Sequence, residues 1–135
     1  MVNLPYKQRG MSLYGWVLVL MVAGFFFTVA FKLGPVYIDN SFIASGLKDL
    51  GRHPEGVETL SNGQIKKELM QFFSINNVRN EEAKNIKVQR NGEVVLVNID
   101  YEIRVPMFAN IDVVLTFNNQ LNSKFPGQCC TPINE

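Results

Sequence analysis

Residues able to do chemistry are few in this sequence, and they stand far apart. The one histidine, His53, sits beside Pro54 in GRHPEG (51–56), a composition that marks a loop. A metal site takes several ligands, and no cysteine or second histidine lies near His53 in sequence, so a solvated loop residue is expected. Asp100, Glu102 and Asp112 offer carboxylates, which do acid–base work where a pocket pushes their pKa values apart. Charges that alternate along a strand, with Arg104 within reach, instead describe a solvated face. Cys129 and Cys130 are adjacent after FPGQ and match neither the C-x-x-C redox spacing nor a zinc pattern. In an oxidising compartment they would form a vicinal or intermolecular disulfide; otherwise they ride on a mobile tail. No Ser–His–Asp set or Ser–Lys pair is present, and the glycine-dense region 51–63 lacks the preceding strand that a phosphate loop needs. The expectation is a non-enzymatic protein with no cofactor, no metal and no small-molecule substrate.

Composition narrows the class further. Of 135 residues, 47% are hydrophobic and 10 are Phe, yet mean hydropathy is only +0.03, so the apolar residues must be concentrated somewhere. Net charge is +1 with no run of like charges, which leaves no basic patch for a nucleic acid.

The concentration lies at 11–31, which holds 21 residues without a charge and ends at Lys32. As a helix it spans about 31 Å, the thickness of a bilayer's hydrocarbon core. Its three Leu, four Val and four Phe favour insertion by roughly 3 to 7 kcal/mol. A cleaved secretory signal has a shorter apolar core, although TVA (28–30) offers a small-x-small site. A retained anchor fits the length, and so does a prepilin leader cut between Gly10 and Met11. Lys7, Arg9 and the amino terminus precede the span and Lys32, Lys48 and Arg52 follow it, a nearly tied count; the basic residues before the span are packed closer to it, which favours a cytoplasmic N-terminus with the following domain outside. Two small-residue pairs, Gly24/Thr28 and Ala30/Gly34, have the spacing that lets another helix approach closely.

QRGMSLYGW, the apolar span and KLGPVYIDN together resemble a proteobacterial family of small single-pass inner-membrane proteins, the domain-of-unknown-function family 4845. The resemblance is strongest over 9–50. It implies an inner-membrane protein encoded beside signal peptidase I and ribonuclease III, which makes signal peptidase I a candidate partner, and it carries no catalytic or binding residues. The same stretch resembles the N-terminus of type IV pilins and pseudopilins, where a glycine precedes the cleavage point and a Glu stands at the fifth mature position. Here the fifth residue after Gly10 is Gly15, so the residue that pairs with a neighbouring subunit's amino terminus is missing.

Beyond the span, Gly34-Pro35 is expected to break or kink the helix. Val36, Ile43, Leu47 and Leu50 then recur at helical spacing up to a capping position at Gly51. Ser61 and Gln64 have capping-box spacing, flanked by a Leu60–Ile65 hydrophobic staple. They predict a helix over 62–73 with Ile65, Leu69 and Phe72 on one face. Asn91-Gly92 predicts a type I′ hairpin in which Arg90 faces Glu93 and Val88 faces Val95. Val95, Val97, Ile99, Tyr101, Ile103 and Val105 then line an inner face, joined by Ile111, Val113, Leu115 and Phe117 from a third strand. The connection between those strands, PMFAN, offers Met107 and Phe108 as a contact loop. The expected architecture is α+β: a tail at 1–10, a transmembrane helix at 11–33, a periplasmic domain at 34–128 with two helices and a three-stranded antiparallel sheet, and a tail at 129–135. Its partners would be the bilayer and a membrane protein, or further copies of itself.

Overall fold

The computed structural model describes Gly10 and residues 12–131. Met11, half of the candidate processing site, lies outside the described residues, as do most of the N-terminal tail and 132–135 at the other end.

Helix α1, Leu13–Gly51, is 39 residues long, about 58 Å at 1.5 Å per residue. Its two halves have different environments. Over 13–31 no residue is buried and none is charged, and this part is long and apolar enough to cross a membrane. From Ile43 onward Ile43, Gly46, Leu47 and Leu50 are buried against the rest of the chain.

Of the break or kink expected at Gly34-Pro35, the break does not occur: α1 continues through Pro35. Proline inside a helix removes one i→i−4 hydrogen bond and costs about 3 kcal/mol. Here the helix is held on both sides of it. Lys32 and Tyr37 each contact the sheet, so packing outweighs the local preference.

Helix α2, Asn62–Ile75, begins as its sequence dictates. The Ser61 hydroxyl accepts from Gln64 N, and the Gln64 side chain accepts from Ser61 N at 2.8 Å. The helix extends two residues past the expected end, and Phe73 rather than Phe72 joins Ile65 and Leu69 in the core.

Strands β1 (Lys87–Asn91), β2 (Val94–Phe108) and β3 (Ile111–Asn122) form an antiparallel meander in the order β1-β2-β3. The turn of the first hairpin sits one residue later than expected, so that Arg90 pairs with Val95 and Val88 with Val97. Gly92 alone in that turn has positive φ (+64°), which matches a type II′ turn around Gly92-Glu93 rather than type I′ around Asn91-Gly92. Each β2 residue nonetheless keeps its face, because moving a two-residue turn by one position shifts the cross-strand partner by two. Val95, Val97, Ile99 and Tyr101 accordingly pack beneath α1 and α2 with Ile43, Leu47, Ile65, Leu69, Phe73 and Leu121. Ile111 departs from expectation: it is exposed at the end of the sheet instead of facing inward.

Candidate functional site

The β2–β3 hairpin lies along α1 and ends beside its apolar half. Pro106 has no N–H to give to a ladder. The pairing shifts there, from Pro106↔Asp112 to Phe108↔Ile111, and leaves Met107 as the extra residue of a bulge. The carbonyls of Pro106 and Met107 both turn to the Lys32 ammonium, which donates to them at 2.7 and 2.8 Å. The same ammonium stands 5.9 Å from the centre of the Phe108 ring, within cation–π range. Phe108 stacks on Phe25 with ring centroids 5.8 Å apart and planes within 12°. The cation that ends the apolar run is therefore engaged by the hairpin.

Higher on the helix, a polar hub fixes the sheet to α1. Asn40 Oδ1 accepts from the Tyr101 hydroxyl at 3.0 Å and from Asn119 Nδ2 at 2.8 Å. Both donors belong to buried residues. Burial pushes the Tyr101 phenol pKa up, and the Asp39 carboxylate adds to the shift. Phe117 stacks on Tyr101 and meets Tyr37 edge-on, which encloses the hub in aromatic surface.

The contact loop expected at Met107-Phe108 is divided by the bulge. Met107 is 8% exposed and packs inward, which corrects its place in an exposed patch, whereas Phe108 is 43% exposed. Ile111, 64% exposed, takes Met107's place in the outward apolar surface.

Gly24, Thr28, Ala30 and Gly34 all lie on α1, with the Thr28 hydroxyl donating to Gly24 O at 2.8 Å. Gly24 and Gly34 have open space where a Cβ would sit. The two pairs are six residues apart, which at 3.6 residues per turn sets them about 120° apart around the helix, so they form two separate small faces rather than one.

Cys129 and Cys130 are joined as a vicinal disulfide, and both residues are partly buried against the core. Gln120 N donates to Cys130 O at 3.2 Å, and this contact holds the segment against β3. That part of the chain is therefore packed rather than a free tail.

His53 lines an open pocket of about 220 Å³ with Asp49, Arg52 and Glu68, over a floor of Leu50, Leu69 and Phe72. Its Nε2 lies 3.8 Å from Glu68 Oε1, and its Nδ1 accepts from Glu55 N at 3.4 Å. Asp100, Glu102 and Asp112 do not converge. They pair across the strands with Asn118, Thr116 and Pro106, all three are exposed, and Arg104 Nε is 3.8 Å from Glu102. Among the described residues no three His, Cys, Asp or Glu side chains are grouped as metal ligands.

Lys32 and Asn40 escaped the reading of the sequence as site residues. The signal for Asn40 was a mismatch of pattern. Asn40 lies four residues beyond Val36 and three before Ile43 on the buried side of α1, and Asn119 takes an inward position between Phe117 and Leu121. Two polar residues at apolar positions on facing elements point to a mutual hydrogen bond.

These features define a small α+β domain locked onto the second half of a long helix whose first half is apolar and bare. The chain belongs to the family described as a domain of unknown function (DUF4845), whose family model matches residues 32–117. The match starts at Lys32 and covers the helix–sheet junction, the Asn40 hub residues Asn40 and Tyr101, and the hairpin tip. No curated protein and no solved structure is detectably similar to the chain.

Proposed function

We propose that this chain is a non-enzymatic single-pass inner-membrane protein that displays its α+β domain in the periplasm for contacts with other proteins. The observation that carries the reading is the division of α1, with nineteen uncharged, unburied residues over 13–31 followed by a packed part that the family model matches from Lys32. Its partner is a membrane protein of the secretion machinery. Signal peptidase I is the first candidate, on the gene neighbourhood that the family resemblance implies. The open Gly24/Thr28 and Ala30/Gly34 faces of the span are where a partner helix, or the span of another copy, would approach. Two measurements test the reading. Alkaline-phosphatase fusions to the C-terminus should be active, and the protein should stay with membranes through an alkaline carbonate wash. Release by that wash would overturn it. Purification in mild detergent should recover a membrane protein in stoichiometric amount, and recovery of none would remove the contact role.

A second reading takes the order of this chain, a 39-residue N-terminal helix followed by an antiparallel meander, as pilin-like. In it the chain is a pilin-like or pseudopilin-like subunit processed after Gly10. N-terminal sequencing of the native protein separates the two readings: a start at Met11 establishes processing, and an intact Met1 removes it.

A further inference from the structure

The hairpin tip and the first half of α1 form one uncharged surface, and two independent lengths place them at the same level. Along α1, Phe25 precedes Lys32 by seven residues, about 10 Å at 1.5 Å per residue. Along the sheet, the hairpin runs on from Pro106, where Lys32 binds, through Phe108 to the turn at Ala109-Asn110, about 7 to 10 Å at 3.3 Å per residue. The Phe25–Phe108 stack joins the two ends.

Charge follows the same level. Asp112 is paired with Pro106, and Arg104 lies further toward the body of the domain. Between them the tip reads Met-Phe-Ala-Asn-Ile over 107–111, without a charge, beside the uncharged residues 25–31 of α1. Lys32 and Asp112 thus mark where charge begins on the helix and on the returning strand: among the described residues, 12–31 of the chain and 107–111 of the tip carry none. These uncharged stretches hold the bare helix and the two exposed apolar side chains of the tip, Phe108 and Ile111.

We propose that this tip is a membrane-inserted wedge whose occupant is lipid. Residues 107–111 enter the leaflet nearest the domain, with Phe108 and Ile111 among the acyl chains just below the headgroups and Lys32 at the boundary. The proposal rests on α1 spanning the membrane. Backbone polar groups are costly where water is scarce, and the tip goes no deeper than the headgroup–acyl boundary. The bulge that would have left two carbonyls free has both bound to Lys32. An immersion of about 5 to 10 Å is the depth at which interfacial apolar side chains partition. With the span, the wedge gives the domain a second membrane attachment and limits the tilt of α1 that would lift the tip out of the lipid.

Tryptophan fluorescence in phosphatidylcholine vesicles tests this on the full-length chain, using acyl chains brominated either near the headgroup or near the bilayer centre. Trp16 is the only natural tryptophan and lies inside the apolar run, so the unmodified protein reports on the span itself. The double variant Trp16→Phe/Phe108→Trp reports on the tip. Trp16→Phe/Ile75→Trp is the control, because α2 packs at Gly46, fourteen residues and about 21 Å beyond Lys32. The tip variant should show blue-shifted emission and a roughly twofold or greater quenching, stronger with bromines near the headgroup, while the Ile75 variant is unaffected. Quenched Trp16 with a water-like, unquenched tip overturns the wedge and leaves the span standing. Unquenched Trp16 overturns the span and the wedge with it. Tip quenching that appears only on high dilution of the protein in lipid means that another copy covers the tip, which also overturns the wedge.

Discussion

Replacing Asn40 by Ala should loosen the sheet from α1 without unfolding the helix. Asn40 Oδ1 is the acceptor for two donors, Tyr101 Oη at 3.0 Å and Asn119 Nδ2 at 2.8 Å. Tyr101 and Asn119 are each 5% exposed, so neither can turn to bulk water when the acceptor is removed. A stranded buried donor costs about 1 to 3 kcal/mol, which gives roughly 2 to 6 kcal/mol for two. Alanine returns about 0.6 kcal/mol through its better helix propensity. The net loss is about 1.4 to 5.4 kcal/mol. Hydrogen exchange on the detergent-solubilised full chain reads this directly, because amides of β2 and β3 that exchange by opening of the domain should accelerate roughly 10- to 7,000-fold. Tyr101→Phe removes donor and hydroxyl together and should cost only about 1 kcal/mol. In that background Asn40→Ala strands one donor instead of two, so the two effects should fall short of additive by about 1 to 2 kcal/mol. An Asn40→Ala variant whose β2 amides exchange within threefold of the parent would refute the hub as a closed hydrogen-bond unit.

Three other expectations follow from particular contacts. Tyr101 has its phenol pKa raised above the ordinary 10.0, so the unfolded chain releases this proton at lower pH than the folded one. Its contribution to stability is complete below pH 10.0 and is lost as pH rises beyond it, and Tyr101→Phe should lose less stability than the parent over that alkaline range in denaturant melts. Arg90 donates to Asn62 Oδ1 at 2.6 Å, to Glu58 O at 3.3 Å and to Leu60 O, and it ties β1 to the turn before α2. Arg90→Ala should cost about 1 to 2 kcal/mol, read as faster exchange in β1, and Arg90→Lys should not restore the loss because an ammonium lacks the planar fork. At Gly46 a Cβ would stand 2.9 Å from Phe72 and 3.2 Å from Phe73, so Gly46→Ala should lower stability by about 1 to 3 kcal/mol. Gly24→Ala, where a Cβ would meet open space, should leave the domain unchanged in the same melts.

The sequence made some of this fold legible and not the rest, and the division is physical. The α2 start was legible because a capping box is a local hydrogen-bond pattern that depends only on residues three apart. The strands and their inner face were legible because alternation has a fixed period of two, which survives a turn moved by one residue. The hairpin register was not, because Asn91-Gly92 and Gly92-Glu93 both put glycine where positive φ is needed, and only cross-strand packing decides between them. The continuity of α1 through Pro35 was hidden for a related reason. Proline's cost is local and visible, whereas the contacts that offset it come from residues 106, 107 and 117, far along the chain. Lys32 read as the end of an apolar run, which it is. Its two carbonyl partners exist only because another proline disrupts a strand seventy-four residues later.

Those two prolines act on the same level of the molecule. Pro35 leaves the Phe31 carbonyl without its usual helical donor, and Pro106 leaves a bulge with two carbonyls turned out of the ladder. Backbone acceptors freed in this way are costly wherever water is scarce. Lys32 stands next to the first and binds the other two, so one ammonium serves the place where helix and strand both lose regular pairing. Moving that charge one residue either way along α1 would rotate it about 100° from the hairpin and uncover both carbonyls. The boundary between the bare helix and the domain is therefore set by the position of one side chain on a helical face, and the apolar tip, held by that same side chain, cannot be separated from it.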